Sequence, residues 1–120
     1  MNTANQHTDL KDRTKIFALR IIKITKSLTN NTAEREIARQ LIRSGMSVGA
    51  NTRSAFRGRS TKEFKAKLGI VIEEADECGY WLELLMDETF ELSNILDELE
   101  NLHLEANELT SIFVSIVKKL

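Results

Sequence analysis

The sequence predicts an all-α protein, an antiparallel up-down-up-down four-helix bundle. Three observations lead there. The 120-residue chain contains no proline, so long helices meet no built-in breaker. Apolar residues recur every three or four positions in four separate windows, and strict apolar–polar alternation is scarce. Short polar stretches join the windows, which makes consecutive helices antiparallel neighbours. A chain of this length fits one domain with one core. Residues 1–8 read as a short disordered tail and residues 9–120 as the bundle.

The first helix is expected over Asp9–Leu28. Leu10, Phe17, Ile21, Ile24 and Leu28 share one face, with Thr14 filling the gap. "TNNT" then favours a turn, with Thr32 as a natural N-cap and Glu34 and Glu36 suited to the helix dipole. The second helix begins near Ala33, with Ile37, Leu41, Ser44, Val48, Asn51 and Ala55 as its seam. That seam runs through "MSVGANTRSAFRGRS", Met46 to Ser60, although each interior glycine costs about 1 kcal/mol against alanine. Gly45 and Gly49, four apart, offer a compensating close approach for another backbone.

Gly58 is placed to end the second helix, and Ser60-Thr61-Lys62-Glu63 is a capping box for the third. The third seam is the most regular: Phe64, Leu68, Val71, Ala75, Cys78, Leu82 and Leu85. The helix is expected to stop near Asp87–Phe90. Ser93 can cap the fourth, whose seam is Leu99, Leu102, Ala106, Leu109, Phe113, Ile116 and Leu120.

Two helices carry more apolar surface than an internal core requires. Lys67, Ile70, Glu74, Glu77, Trp81 and Leu84 form a second line on the third helix. Ile42, Met46, Gly49, Arg53 and Phe56 do so on the second. Trp, Phe, Met and Arg are favoured at interfaces, so homo-oligomerisation is expected. The carboxylates of Glu74 and Glu77 need partners, because unpaired buried charge is costly, and Arg53, Lys67 and Asn51 are the candidates. Asn51, Arg53, Lys67, Glu74, Glu77 and Trp81 therefore read as a buried polar network or an interface.

Charge is distributed unevenly. Residues 1–67 hold 15 Lys/Arg against 5 Asp/Glu, and residues 68–120 hold 2 against 13. Such a chain can pair its own halves, pair with copies of itself, or offer its basic half to an anion. Arg35, Arg39 and Arg43 step along one face of the second helix, while Arg57, Arg59 and Lys62 cluster at the next junction. These six are the candidate contacts to RNA or DNA phosphates. Only Phe56 and Phe64 lie nearby, which does not favour base stacking.

Catalysis is not expected. No residue constellation supplies a nucleophile with its base, and "GANTRSAFRG" lacks the lysine and spacing of a Walker loop. Cys78 sits on an apolar seam and reads as a small core residue. The histidines are His7 and His103, whereas a di-iron bundle takes Glu-x-x-His from two helices, so neither metal nor cofactor is expected. No run approaches ~18 apolar residues, so no membrane contact is expected. A single cysteine and a polar N-terminal segment fit a reducing cytoplasm.

The stretch from Ser47 to Leu85 carries a resemblance. Ser47, Val48, Ala50 and Asn51, then Arg59, Ser60, Phe64 and Lys67, then Glu74, Ala75 and Glu77, and finally Tyr80, Trp81, Leu82, Leu84 and Leu85 match a recurring pattern. It resembles the four-helix-bundle family of 23S rRNA intervening-sequence proteins. The resemblance implies a ring-like homopentamer and a gene often lodged within the 23S rRNA gene. A related branch, the accessory variability proteins of diversity-generating retroelements, binds nucleic acid and a reverse transcriptase. Those relatives are strongly basic, whereas this chain has a net charge of −1. Where many members place a glutamate after the asparagine, this chain reads Thr52-Arg53-Ser54-Ala55. The leading functional reading is a non-catalytic, homo-oligomeric binding or scaffold protein that associates with RNA or a nucleoprotein. The alternative is a purely protein–protein assembly module.

Overall fold

The apolar seams close on one another in a computed structural model, which describes residues 3–120, with side chains from Asp9 onward. Four helices follow in order: α1 (Thr3–Thr25), α2 (Thr32–Ala55), α3 (Thr61–Met86) and α4 (Leu96–Lys118). Two short 3-10 turns, Glu88–Phe90 and Ser93–Ile95, lead from α3 into α4. No strand occurs among the described residues. The fold is 45 × 24 × 21 Å, so its long axis is set by helix length.

Pairwise contacts fix the directions. A Cβ on Gly45 would lie against Ile21, and one on Gly49 against the Thr14 carbonyl, so α2 runs antiparallel to α1. Arg13 meets Glu105 and Arg20 meets Glu98, so α4 also runs antiparallel to α1. α3 folds back on α2 through residues 56–60, with the rings of Phe56 and Phe64 tilted against each other 5.4 Å apart beside the link.

The expected seams supply the core. Leu10, Phe17, Ile21, Ile24 and Leu28 are buried, as are Leu68, Val71, Ala75, Cys78, Leu82 and Leu85, and Leu99, Leu102, Ala106, Leu109 and Phe113. Phe64 and Ile116 pack at the margin, and Leu120 is exposed. On α2 the seam differs by one position. Thr52 is fully buried and Asn51 only half-buried. Thr52 tolerates this because its hydroxyl donates to the Val48 carbonyl at 2.7 Å, inside its own helix. Thr14 and Ser44 are buried by the same device, donating to Leu10 and Gln40 carbonyls.

Helix ends depart most from expectation. α1 starts at Thr3, inside the stretch expected as a tail; Met1 and Asn2 lie outside the described residues. It stops at Thr25, and Leu28 is buried from the link instead. The cap of α2 is Asn31, one residue before Thr32, its side chain accepting from the Glu34 N–H at 2.9 Å. Glu34 answers by accepting from Asn31 Nδ2 at 3.0 Å, which lets a carboxylate sit buried in the first turn. Ser60 caps α3 as expected, but Glu63 turns back to the Arg59 N–H. Ser93 opens a 3-10 turn, and no side chain caps α4. Gly58 is not left-handed; it is needed because a Cβ there would meet the Ala55 carbonyl at 3.0 Å.

Gly69 is different again. It lies inside α3, and a Cβ there would meet nothing within 4 Å. Gly69→Ala is therefore expected to stabilise the protein by about 1 kcal/mol, through helix propensity and a less flexible unfolded chain. Thermal unfolding at fixed protein concentration checks this. A melting temperature at or below that of the parent chain would show that space beside Gly69 is already occupied.

Candidate functional site

α2 turns one face into the core and leaves two flanks, one towards α3 and one towards α1. On the α3 flank Arg43 joins two carboxylates. Its Nη1 donates to Glu74 Oε2 at 3.0 Å and its Nη2 to Glu77 Oε1. Trp81 Nε1 donates to the same Glu77 oxygen at 3.2 Å. The bond to Glu77, helped by the charges of both carboxylates, raises the Arg43 guanidinium above the ordinary arginine range. Glu74 has only 15% of its side chain exposed, so this pairing answers a real desolvation cost.

The partner differs from those expected. Asn51 donates instead to the Ser47 carbonyl and hydroxyl, at 3.0 and 2.8 Å. Arg53 is exposed, and with Lys67 it lines a separate hollow near the α2–α3 link. Exposed apolar side chains stand one helical turn from members of the Arg43 cluster, Met46 from Arg43, Ile70 from Glu74 and Tyr80 from Glu77. Met46 is 50% exposed, Ile70 38% and Tyr80 54%. The Tyr80 ring lies 5.2 Å from that of half-buried Trp81.

Beneath this face Cys78 is fully buried, its thiol donating to Ser44 Oγ at 3.2 Å. Burial, together with nearby Glu74 and Glu77, pushes the thiol up to about 12. A thiol so raised stays protonated across the physiological range and makes a poor nucleophile. Cys78 is expected to resist a disulfide reagent at pH 8 in the folded protein and to react at once in denaturant. Labelling of the native protein as fast as of the denatured one would place Cys78 outside the core.

The arginine ladder of α2 is engaged locally. Arg35 donates to the Thr29 carbonyl at 3.0 Å and to the Thr32 hydroxyl. Arg39 pairs with Glu36 at 2.8 Å, and Arg43 is held as described. Arg57, Arg59 and Lys62 are exposed and have no ion-pair partner among the described residues.

The α1 flank holds a feature that sequence reasoning missed. Lys11, Asp12, Lys15 and Ala18 of α1 face Met46, Gly49, Ala50 and Arg53 of α2, and Arg57 of the link that follows, across a cleft of about 480 Å³. Close approach at Gly49 draws the two helices together here. Arg53 and Arg57 also border the neighbouring hollow, which Ala50, Arg59, Glu63 and Lys67 complete. The lysines of α1 gave a signal, since Lys11, Lys15 and Ala18 follow helical spacing beside the seam.

No group of three His, Cys, Asp or Glu side chains that could hold a metal ion occurs among the described residues. Glu100 and His103 do form one Glu-x-x-His step on α4, which sequence reasoning passed over; His103 Nε2 lies 3.8 Å from Glu83 Oε2. No described helix is long and apolar enough to cross a membrane.

Comparison with known proteins adds two findings. The chain matches the family model described as 23S rRNA-intervening sequence protein over residues 6–113. It also superposes on a crystal structure from Bacteroides thetaiotaomicron, a protein of unknown function from the S23 ribosomal protein family. The TM-score is 0.81 at 36% identity, covering 93% of this chain and 97% of the other. No match was found among curated proteins.

Proposed function

Since the chain belongs to the 23S rRNA-intervening sequence protein family, we propose that it is a non-catalytic, self-assembling helical bundle that serves as a scaffold for RNA or a nucleoprotein. The observation that supports it most is the outer α2–α3 face. Exposed Met46, Ile70 and Tyr80 stand one helical turn from Arg43, Glu74 and Glu77, and the guanidinium is already fixed by the two carboxylates. Exposed Met and Tyr beside a preorganised arginine are residue types favoured at interfaces. A second copy of the chain is its occupant, and the homopentamer implied by the resemblance is the expected stoichiometry.

RNA association rests on the cations that internal ion pairs do not use. The competing reading, an assembly module without nucleic acid, draws on the acidic second half of the chain, which could meet the basic half of a neighbouring copy. Two measurements test the proposal. Light scattering on a size-exclusion column is expected to return a multiple of the chain mass at micromolar concentration; a clean monomer would defeat self-assembly. Titration of labelled RNA at low salt is expected to show binding; none would leave the assembly module standing.

A further inference from the structure

We infer that the α1–α2 cleft is the seat of a phosphodiester backbone, bound without regard to base sequence. This deepens the proposed RNA association and rests on it. The argument begins with which cations remain available. Arg35, Arg39 and Arg43 are each engaged within the fold, so the ladder that looked most like a phosphate track is already used. Lys11, Lys15, Arg53 and Arg57 have no ion-pair partner among the described residues, yet they share the walls of one cleft.

Their arrangement follows from helix geometry. Gly49 lies opposite Thr14 and Lys15 in the antiparallel pair, which puts Arg53, one turn on, level with Lys11. The α1 wall presents Lys11 and Lys15 one helical turn apart, about 5–6 Å, and the other wall presents Arg53 from the last turn of α2 and Arg57 from the link that follows. Two such rows suit a chain of regularly spaced anions. Asp12 is the single carboxylate in the cleft.

The floor decides how the polyanion is read. It consists of Ala18, Met46, Gly49 and Ala50, with no aromatic ring on which a base could stack. Nor does any Asn or Gln line the cleft to read a base edge. Contacts are confined to phosphate, so binding is governed by counterion release. RNA and DNA supply the same backbone chemistry and are expected to bind with similar affinity.

Fluorescence anisotropy with a labelled single-stranded RNA, and with DNA of the same sequence, tests this over a range of salt. With four phosphate contacts per protomer, the slope of log K against log salt is expected at about −3, and Arg53→Gln with Arg57→Gln should halve it to roughly −1.4. Lys11→Gln with Lys15→Gln should do the same, while Arg39→Gln should leave it unchanged. Lys15, Arg39, Arg53 and Arg57 are exposed and Lys11 is half-buried, and circular dichroism is the check that the variants fold. An unchanged slope in both cleft variants, with RNA still bound, would overturn the cleft and spare the RNA association. Absence of wild-type binding at low salt would remove both. RNA bound far more tightly than DNA would overturn backbone-only reading. Polyglutamate displacing RNA at equal charge would assign the cleft to an acidic polypeptide instead.

Discussion

Replacing Phe17 by alanine is expected to lower the unfolding free energy by about 3–5 kcal/mol, the range for deleting a fully buried aromatic ring. Phe17 is 0% exposed and sits in the middle of the α1 seam, between Leu10 and Ile21. Its loss opens a cavity, and α2 is already packed close to α1 through Gly45 against the Ile21 side chain and Gly49 against the Thr14 carbonyl, so little collapse is expected. A domain of ordinary stability holds about 5–15 kcal/mol in total, so the variant should be partly unfolded at modest urea. The comparison that gives this weight is with the polar ties of the same helix. Arg13 forms a two-pronged bond with Glu105, at 2.7 and 2.8 Å, and Arg20 pairs with Glu98. Partly exposed pairs contribute about 1 kcal/mol or less each, and Arg13 makes a second one with Glu108 at 2.8 Å. Urea titration at one protein concentration should therefore show Phe17→Ala costing several times more than Arg13→Ala. Equal costs would mean that α1 is held by its charges and not by its seam.

The contrast explains what could be read from the sequence. Each seam is a property of one helix, and burial follows its angular period directly, so Phe17, Leu68 and Leu109 were legible at once. Where an element ends is a contest between neighbours of similar chemistry. Asn31 and Thr32 can both cap α2; the structure takes Asn31, whose side-chain amide also serves buried Glu34. The partner of Glu74 and Glu77 was harder, because period gives the angle around a helix and not the level along its neighbour. Arg43 and Arg53 both point away from the core, yet they differ by ten residues, about 15 Å of rise. Folding back about Gly58 brings Arg43 opposite residue 73 and its neighbours, and leaves Arg53 level with Glu63, in the hollow that Lys67 also lines. The link length thus contained the answer. The α1–α2 cleft needed a second register, set by Gly49 against Thr14, before Lys11 and Arg53 could be placed together.

The proposed self-assembly makes the second large prediction. Ile70→Lys combined with Met46→Gln is expected to raise the midpoint concentration for assembly by about 100-fold or more, since central apolar contacts each carry about 2 kcal/mol or more. Both side chains are substantially exposed in the single chain, at 38% and 50%, so the isolated fold has little to lose. The introduced lysine would stand one turn before Glu74 on α3, a spacing that helices accept. Met46 also belongs to the floor of the α1–α2 cleft, so phosphate binding is followed in the Ile70→Lys single variant, which leaves that cleft untouched. The Arg43–Glu74–Glu77 cluster stays intact and keeps α2 against α3. Light scattering across a dilution series is the measurement, with thermal unfolding of the dissociated form as the control for folding. Leu104→Lys serves as the comparison on α4, where the side chain is 65% exposed on the far side of that helix from its seam. It is expected to leave the mass unchanged. If Leu104→Lys dissociates the protein and the Ile70/Met46 pair does not, the interface lies on α4. The apolar surplus of α2 and α3 is then a feature of the single bundle alone.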